Sequence, residues 1–277
     1  MPTLLSILVS TYNWPQALAV VLESLRRQTD HHFEVVVADD GSGAETAALI
    51  RRFQADFPVP LKHAWQTDQG YRLAASRNRA LEQTSGDYLV IMDGDCFVLP
   101  DFVAVHRQLA EPGWFVSGKR SYLRSGLSRR ILDGVTPFGL TSRPVWLGRS
   151  LCNQCTRPAE FIRFGDGAWR KKQPAAWQKV QTCNLGVWRS DCLTVNGFDE
   201  RYVGHGLEDS DFVLRLLRSG ARRKLGNHAS LVLHLNHERR DRPPESKNAE
   251  LFAALEAGVG FRAGIGLDEN APGHQGG

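Results

Sequence analysis

Apolar runs too short for anything but strands punctuate the first 118 residues: "LLSILVS", "FEVVVAD", "LKHAW" and "DYLVIM". Each is followed by a stretch with helical spacing. From Pro15 to Gln28, the residues Ala17, Val20, Val21, Ser24 and Leu25 share one helical face, and Pro15 occupies a favoured first helical position. Ala44 to Phe57, Arg72 to Gln83 and the segment after Pro100 are the next helices, and "WFVSG" closes the series as a strand. The strand runs are apolar at consecutive positions instead of alternating, so both of their faces are covered. That pattern belongs to an α/β fold: a Rossmann-like, mostly parallel central sheet with helices on both faces. Ligands of such sheets sit beyond the carboxyl ends of the strands. "STYN", "DDGSG" and "DGD" all fall at those ends, and their common location predicts a single site.

Asp93-Gly94-Asp95 ends the run "YLVIMDGDC". Two carboxylates at the end of a buried strand repel one another and are costly to desolvate, and a divalent cation relieves both problems. Mg²⁺ or Mn²⁺ fits the oxygen donors, and an ion so held completes its shell with water and substrate phosphates, which points to a nucleotide diphosphate. Gly94 would let the backbone come close to a phosphate. Asp39 and Asp40 could accept hydrogen bonds from a base or ribose, with Ser10, Tyr12 and Asn13 beside them. Arg77 lies on the stripe Leu73, Arg77, Leu81 of a helix and therefore faces the core, where it needs an anion, either a strand-end aspartate or the nucleotide. His234 and His237 near the end of "SLVLHLNH" offer a third metal ligand, and a strand would direct the two to opposite faces, so that one coordinates. Glu208, Asp209 and Asp211 open a helix after "GHG", with more acids than capping requires, and an aspartate there could act as a general base. Gly204 and Gly206 would let a substrate approach.

After Gly118 the periodicity fades. Residues 119–181 read as an irregular basic arm or lid, order resumes over 182–258, and 259–277 reads as a flexible tail. The net charge is only +4, but Arg143, Arg149, Arg157, Arg163, Arg170, Lys171, Lys172 and Lys179 cluster in the arm. Arg222, Arg223, Lys224, Arg239, Arg240 and Arg242 form a second group. Such asymmetry suggests an anionic partner, including peripheral contact with an anionic membrane, where Trp169 and Trp177 could stack on sugars or rest among headgroups. No nucleic-acid module is recognisable, so no nucleic-acid partner is expected. The chain has five cysteines, an odd number, which argues against a disulfide framework and for a reducing, cytoplasmic compartment. Cys152 and Cys155 form a CxxC without the second pair a zinc site needs. No run is long and apolar enough for a membrane span, and nothing reads as a signal peptide.

In order and spacing, "SILVSTYNWPQALAVVLESLRRQT", "FEVVVADDGSG", "GYRLAASRNRALEQTSGDYLVIMDGDC" and "VNGFDERYVGHGLEDSDF", followed by a strand-end histidine, resemble the family 2 glycosyltransferases with the GT-A fold. The third block is similar to bacterial chondroitin-polymerase-type domains, and "GHGLEDSDF" to the "GWGGED" element of galactosyl- and N-acetylgalactosaminyltransferases. The resemblance implies inverting transfer from a nucleotide-diphosphate sugar, most simply a UDP-sugar, to a hydroxyl of a saccharide or glycolipid acceptor in surface polysaccharide synthesis. It implies that residues 1–118 bind the donor and 182–258 bind the acceptor and carry catalysis. Ser10, Tyr12, Asn13, Asp40 and Arg77 would contact the nucleotide. Asp93 would touch ribose or metal-bound water, Asp95 and one of His234 and His237 would hold the metal, Asp209 would be the base, and Glu208 would position the acceptor. His205, Gly206 and Trp188 fall on the acceptor side. A non-catalytic nucleotide-sugar or glycan-binding module on the same fold is the alternative; Asp95, Asp209 and a histidine present together favour catalysis.

Overall fold

The computed structural model describes residues 1–134, 142–178, 180–237 and 246–270. Strands β1 (Leu5–Thr11), β2 (Phe33–Asp39), β3 (Leu61–Trp65) and β4 (Tyr88–Asp93) alternate with helices α1 (Pro15–Arg26), α2 (Ala44–Gln54) and α3 (Leu73–Glu82). Every position of β1 and β2 is buried, as their unbroken apolar runs require. These four strands are mutually parallel in the order β3-β2-β1-β4. Helices cover both faces. Ile7, Val9, Val35 and Val90 pack with α1 and α2 on one side, while Leu8, Val36, Leu89 and Ile91 pack on the other with Ala74 and Leu81 of α3.

Beyond β4 come β5 (Cys96–Val98), α4 (Phe102–Leu109), β6 (Trp114–Ser117), β7 (Lys119–Tyr122), α5 (Ser125–Leu132), α6 (Arg143–Leu151), β8 (Leu185–Trp188), α7 (Arg189–Thr194), α8 (Glu208–Arg218), β9 (Arg222–Leu225), β10 (Leu231–His234) and α9 (Ser246–Ala257). The central sheet extends as β4-β8-β6-β9. β8 is antiparallel to both β4 and β6, so "WFVSG" joins the sheet one strand further out than a simple βα series would place it. A second sheet, β5-β10-β7, stands beside the carboxyl end of β4.

Residues 119–181 are not an irregular arm throughout. β7 belongs to the second sheet, and α6 inserts Trp146 into the core against Phe97 and Phe161. The Gly-rich stretch after Gly258 is likewise tied down where it is described. Ala263 N–H donates to Val195 O at 2.9 Å, Gly264 N–H to Asp199 Oδ2 at 2.9 Å, and Glu200 N–H to Ile265 O at 3.0 Å. Tertiary hydrogen bonds of this kind leave no trace in local periodicity.

Much of the expected basic surface is neutralised by acids distant in sequence. Arg143 and Arg163 pair with Asp101, Lys171 with Glu111, and the buried Lys224 with Glu111 and Asp166. Arg170 is fully buried and donates to the carbonyls of Phe164, Gly165, Leu225 and Asn227. Trp169 lies under Arg170, 4.1 Å from its guanidinium, and Trp177 packs against Phe252 of α9. These pairings reduce the charge excess from which an anionic partner was expected. Lys179, Arg239, Arg240 and Arg242 lie outside the described residues. Among the described residues, no helix is long and apolar enough to cross a membrane.

Candidate active site

The carboxyl ends of β1, β2 and β4 meet the start of α8 and the end of β10, and the acids meet there too. Arg77 organises them. It is 1% exposed, its guanidinium lies 5.1 Å from the Phe198 ring, and the protein itself supplies its acceptors. Nη1 donates to Asp209 Oδ1 at 2.8 Å, Nη2 reaches Asp93 Oδ1 at 3.4 Å, and Nε donates to Ser10 Oγ at 3.2 Å. A core-facing arginine on α3 therefore ties β1, β4 and α8 into one unit, and the strand-end aspartate reading of its partner is the geometry observed. A second cation, Arg120 of β7, lies 3.9 Å from Asp93 Oδ2. Sequence reasoning missed it because nothing local distinguishes it from the other arginines nearby.

Asp209 is held from both sides. Thr182 donates its hydroxyl to Oδ1 at 2.5 Å and its N–H to Oδ2 at 3.2 Å. Burial alone would raise this carboxyl, but Arg77 and Thr182 together outweigh it and keep the group below the ordinary carboxylate range. Asp209 is thus held in its ionised form at neutral pH, with its side chain 30% exposed. Gly204, Gly206 and Leu207 all have positive φ (78°, 101° and 75°), a sharp turn that delivers the start of α8 to the cleft. Leu207 in this region is strained, a feature that collects at functional sites. His205 is exposed in the same loop, and Asn248 of α9 fixes the carbonyls of His205 and Gly206.

Glu208 behaves oppositely to its neighbour. Burial first, and repulsion from Asp209 second, push its carboxyl up to about 7, and Oε2 is buried without a hydrogen-bond partner. In the folded chain it keeps its proton where the unfolded chain has lost it, so its stabilising effect is complete below its ordinary 4.5 and disappears as pH rises toward 7. Glu208→Gln, which mimics the protonated form, is therefore expected to unfold at a higher temperature than the wild type at pH 8 and at a similar temperature at pH 4.5. A stability difference that ignores pH would refute this assignment.

Asp95 faces the second sheet. Its Oδ2 lies 3.4 Å from His234 Nε2 and 3.2 Å from His237 Nε2. The expectation that the histidines point to opposite faces is corrected: β10 ends at His234, so the chain is no longer a strand at His237 and both rings converge. Trp14 packs edge-on against His237, their ring centroids 5.6 Å apart. Burial would raise Asp95, but the two imidazoles and the Cys96 thiol outweigh it and hold the carboxyl low. Asp93 goes the other way, pushed up to about 6 by burial and then by Asp95. Around an octahedral ion with bonds of about 2.1 Å, neighbouring donors stand about 3 Å apart. Each imidazole nitrogen thus stands 3.2–3.4 Å from the Asp95 oxygen, the separation of two neighbouring donors on a divalent cation such as Mn²⁺.

The second strand end is split between structure and site. Asp39 is consumed internally, by His63 Nε2 at 2.7 Å and Ser42 N–H at 2.8 Å. Asp40 accepts from Gln66 Nε2 at 2.6 Å and Arg72 N–H at 2.8 Å. Tyr12, 48% exposed, donates to Asp68 Oδ2 at 2.9 Å, and Asn13 Oδ1 accepts from Gly43 N–H at 2.9 Å. Gly94 has a different reason from the one expected: its N–H donates to Ser10 O at 2.7 Å, and a Cβ there would stand 2.6 Å from that oxygen. The glycine is required for approach to β1, independently of any phosphate. Trp188 is a correction. β8 is antiparallel to β4 and pairs Trp188 with Tyr88, so the tryptophan lies at the opposite end of the sheet, about 17 Å from Asp93 at ~3.3 Å per residue. It donates Nε1–H to Glu111 O at 2.8 Å and packs on Tyr88.

A parallel sheet with an Asp-Gly-Asp turn at its strand ends, flanked by a smaller sheet bearing histidines, is the architecture of GT-A-type transferases. The family model "Glycosyl transferase family 2" matches residues 6–174, more than half of the sequence, and "N-terminal domain of galactosyltransferase" matches residues 167–238. The chain belongs to glycosyltransferase family 2. It is 29% identical over 242 residues to chondroitin synthase of Escherichia coli, 30% over 223 residues to validoxylamine A glucosyltransferase of Streptomyces hygroscopicus subsp. jinggangensis, and 34% over 239 residues to hyaluronan synthase of Pasteurella multocida. Each match covers 78% of this chain but only 32%, 52% and 23% of those proteins. Among solved structures, the mannosyltransferase PcManGT of Pyrobaculum calidifontis, in complex with GDP-Man and Mn²⁺, aligns with a TM-score of 0.60 at 20% identity, over 86% of this chain and 58% of that one. S. aureus TarS 1-349 in complex with UDP-GlcNAc aligns with a TM-score of 0.62 at 14% identity, over 96% of this chain and 68% of that one.

Proposed function

We propose that this chain is a metal-dependent inverting glycosyltransferase that moves a sugar from a nucleotide-diphosphate donor, most simply a UDP-sugar, to a hydroxyl of a saccharide or glycolipid acceptor in cell-surface polysaccharide synthesis. The observation that carries the reading is one group of side chains at the strand ends, in which His234 and His237 both approach Asp95 Oδ2 while Arg77 joins Asp93 to Asp209. Relatives that make chondroitin and hyaluronan support the polymer class, and neighbours holding GDP-Man or UDP-GlcNAc support the donor class.

Asp95, His234 and His237 would hold Mn²⁺ or Mg²⁺, whose chemistry is to offset charge growing on the leaving diphosphate. Tyr12, Asn13, Asp40 and Ser10 line the strand ends where the nucleoside binds. Asp209, ionised and fixed by Arg77 and Thr182, takes the acceptor hydroxyl proton as that oxygen attacks the anomeric carbon from the face opposite the diphosphate. Glu208, whose carboxyl is pushed up to about 7, can donate a hydrogen bond to the acceptor while it holds its proton. The turn Gly204–Leu207 and His205 shape the acceptor side.

The test is donor hydrolysis by the purified chain with UDP-, GDP- and dTDP-sugars, with Mn²⁺ or with EDTA. One donor class should be turned over with Mn²⁺ and lost with EDTA, and His237→Ala should raise the Mn²⁺ concentration needed by at least the ~10- to 100-fold that loss of an outer-shell partner costs. Turnover unaffected by EDTA would rule out the metal assignment. Tight donor binding without turnover, with or without acceptor saccharides, would favour the binding-module alternative.

A further inference from the structure

Against the Asp-Gly-Asp turn lie two cysteines for which sugar transfer has no use. Cys96 is 0% exposed and follows Asp95 at the start of β5. Cys183 is 3% exposed and comes from the 3₁₀ turn Thr182–Asn184, next to the threonine that holds Asp209. Both are free thiols. Strand register explains part of the grouping. Cys96 pairs with His234 across β5 and β10, and His234 pairs with Tyr122 across β10 and β7, so the three side chains form one row of the small sheet.

One ligand atom from each of Asp93, Cys96 and Cys183 lies within 4.8 Å of the other two, and the same holds for Asp95, Cys96 and His234. The Cys96 thiol also donates to Asp95 Oδ1 at 3.3 Å. Around a tetrahedral ion with bonds of about 2.3 Å to sulfur and about 2.0–2.2 Å to oxygen or nitrogen, donors stand about 3.5–3.8 Å apart. Each group therefore needs to close by up to about 1.3 Å. Sulfur separates this corner from the one beside it: paired thiolates select soft ions such as Zn²⁺ and Cd²⁺ over Mn²⁺, and the histidine cluster offers only nitrogen and oxygen. The CxxC motif offers no equivalent. Cys152 is exposed, and neither Cys152 nor Cys155 belongs to a group of three such donors among the described residues.

We propose that Cys96 and Cys183, with Asp93 as third donor, form a second binding site for a thiophilic divalent cation such as Zn²⁺ or Cd²⁺, set beside the Asp95, His234 and His237 cluster. Such an ion would join Arg77 and Arg120 as a third cation beside Asp93. The two sites share one turn, and Gly94 is pinned against Ser10, so two dications there would repel at short range and loading one should weaken the other. That coupling rests on the proposed sugar-transfer site; the thiol site itself does not.

Zinc K-edge X-ray absorption on the wild-type chain loaded with one equivalent of Zn²⁺ reads the donors directly. Two sulfur scatterers are expected, and a shell of nitrogen and oxygen alone overturns the proposal. Titration with Cd²⁺ should produce an ultraviolet thiolate-to-metal band that is lost in Cys96→Ser and in Cys183→Ser and kept in Cys152→Ser and His237→Ala. Thermal unfolding of each variant establishes that it is folded, and the X-ray measurement needs no variant. A band lost in His237→Ala, or kept in both buried-cysteine variants, also overturns the site. If the histidine cluster does not bind Mn²⁺, His237→Ala leaves Mn²⁺ affinity unchanged while the thiolate band persists, so the two assignments fail separately.

Discussion

Asp209→Asn is expected to reduce kcat for sugar transfer by about 10²- to 10⁴-fold, the range of a lost general base, while leaving the KM for donor within a few-fold of wild type. The reasoning is geometric. Asp209 is an acid whose ionised form the fold favours, since Arg77 and Thr182 overcome the effect of burial, and its side chain is still 30% exposed. An amide in the same place keeps the contact volume but cannot accept the acceptor's proton. Because Asp209 is held below the ordinary carboxylate range, its own protonation should not limit the rate between pH 5 and 7. Glu208→Gln preserves a hydrogen-bond donor near the acceptor and should act on acceptor KM more than on kcat. Both substitutions are measured with the cognate donor found by screening. Turnover of Asp209→Asn within a few-fold of wild type would remove the base assignment.

The parts of the molecule legible in the sequence are those whose physics is local. Continuous apolar runs announced doubly covered strands, and the packing of Ile7 and Leu8 on opposite faces bears that out. The placement of Arg77 on a core stripe required a buried anion, and Asp209 and Asp93 are there. What depended on strand direction was not legible. Nothing within "CNLGVW" indicates that β8 runs against β4, and that reversal carries Trp188 to the far end of the sheet. His237 joins His234 because β10 stops, and strand ends are set by tertiary pairing more than by local propensity. The charge of the basic arm was only partly legible for a related reason: Asp101 and Glu111 pair with Arg143, Arg163 and Lys171 from outside its own segment. Thr182 and Arg120 carried no signal because each acquires its role from one long-range contact.

Removing the organising cation should have the largest effect on stability. Arg77→Met keeps the stem over Phe198 but leaves Asp209 and Asp93 without their shared partner. Breaking a buried ion pair by deleting one member typically destabilises by about 3–5 kcal/mol. Here the lower end of that range, about 3 kcal/mol, is expected because both acids also reach cleft water, with side chains 33% and 30% exposed. The sign of the pH dependence follows from the same contacts. Without Arg77 both carboxyls titrate higher, so the folded variant is relieved by protonation at low pH and the destabilisation should grow from pH 5 to pH 8. Adding Asp209→Asn to Arg77→Met removes one of the stranded charges, so the double variant should be more stable than the sum of the single effects predicts. Denaturant unfolding of the four proteins at both pH values measures this. A loss below about 1 kcal/mol, the worth of an exposed pair, would mean that Arg77 is not what holds the acids of this cleft together.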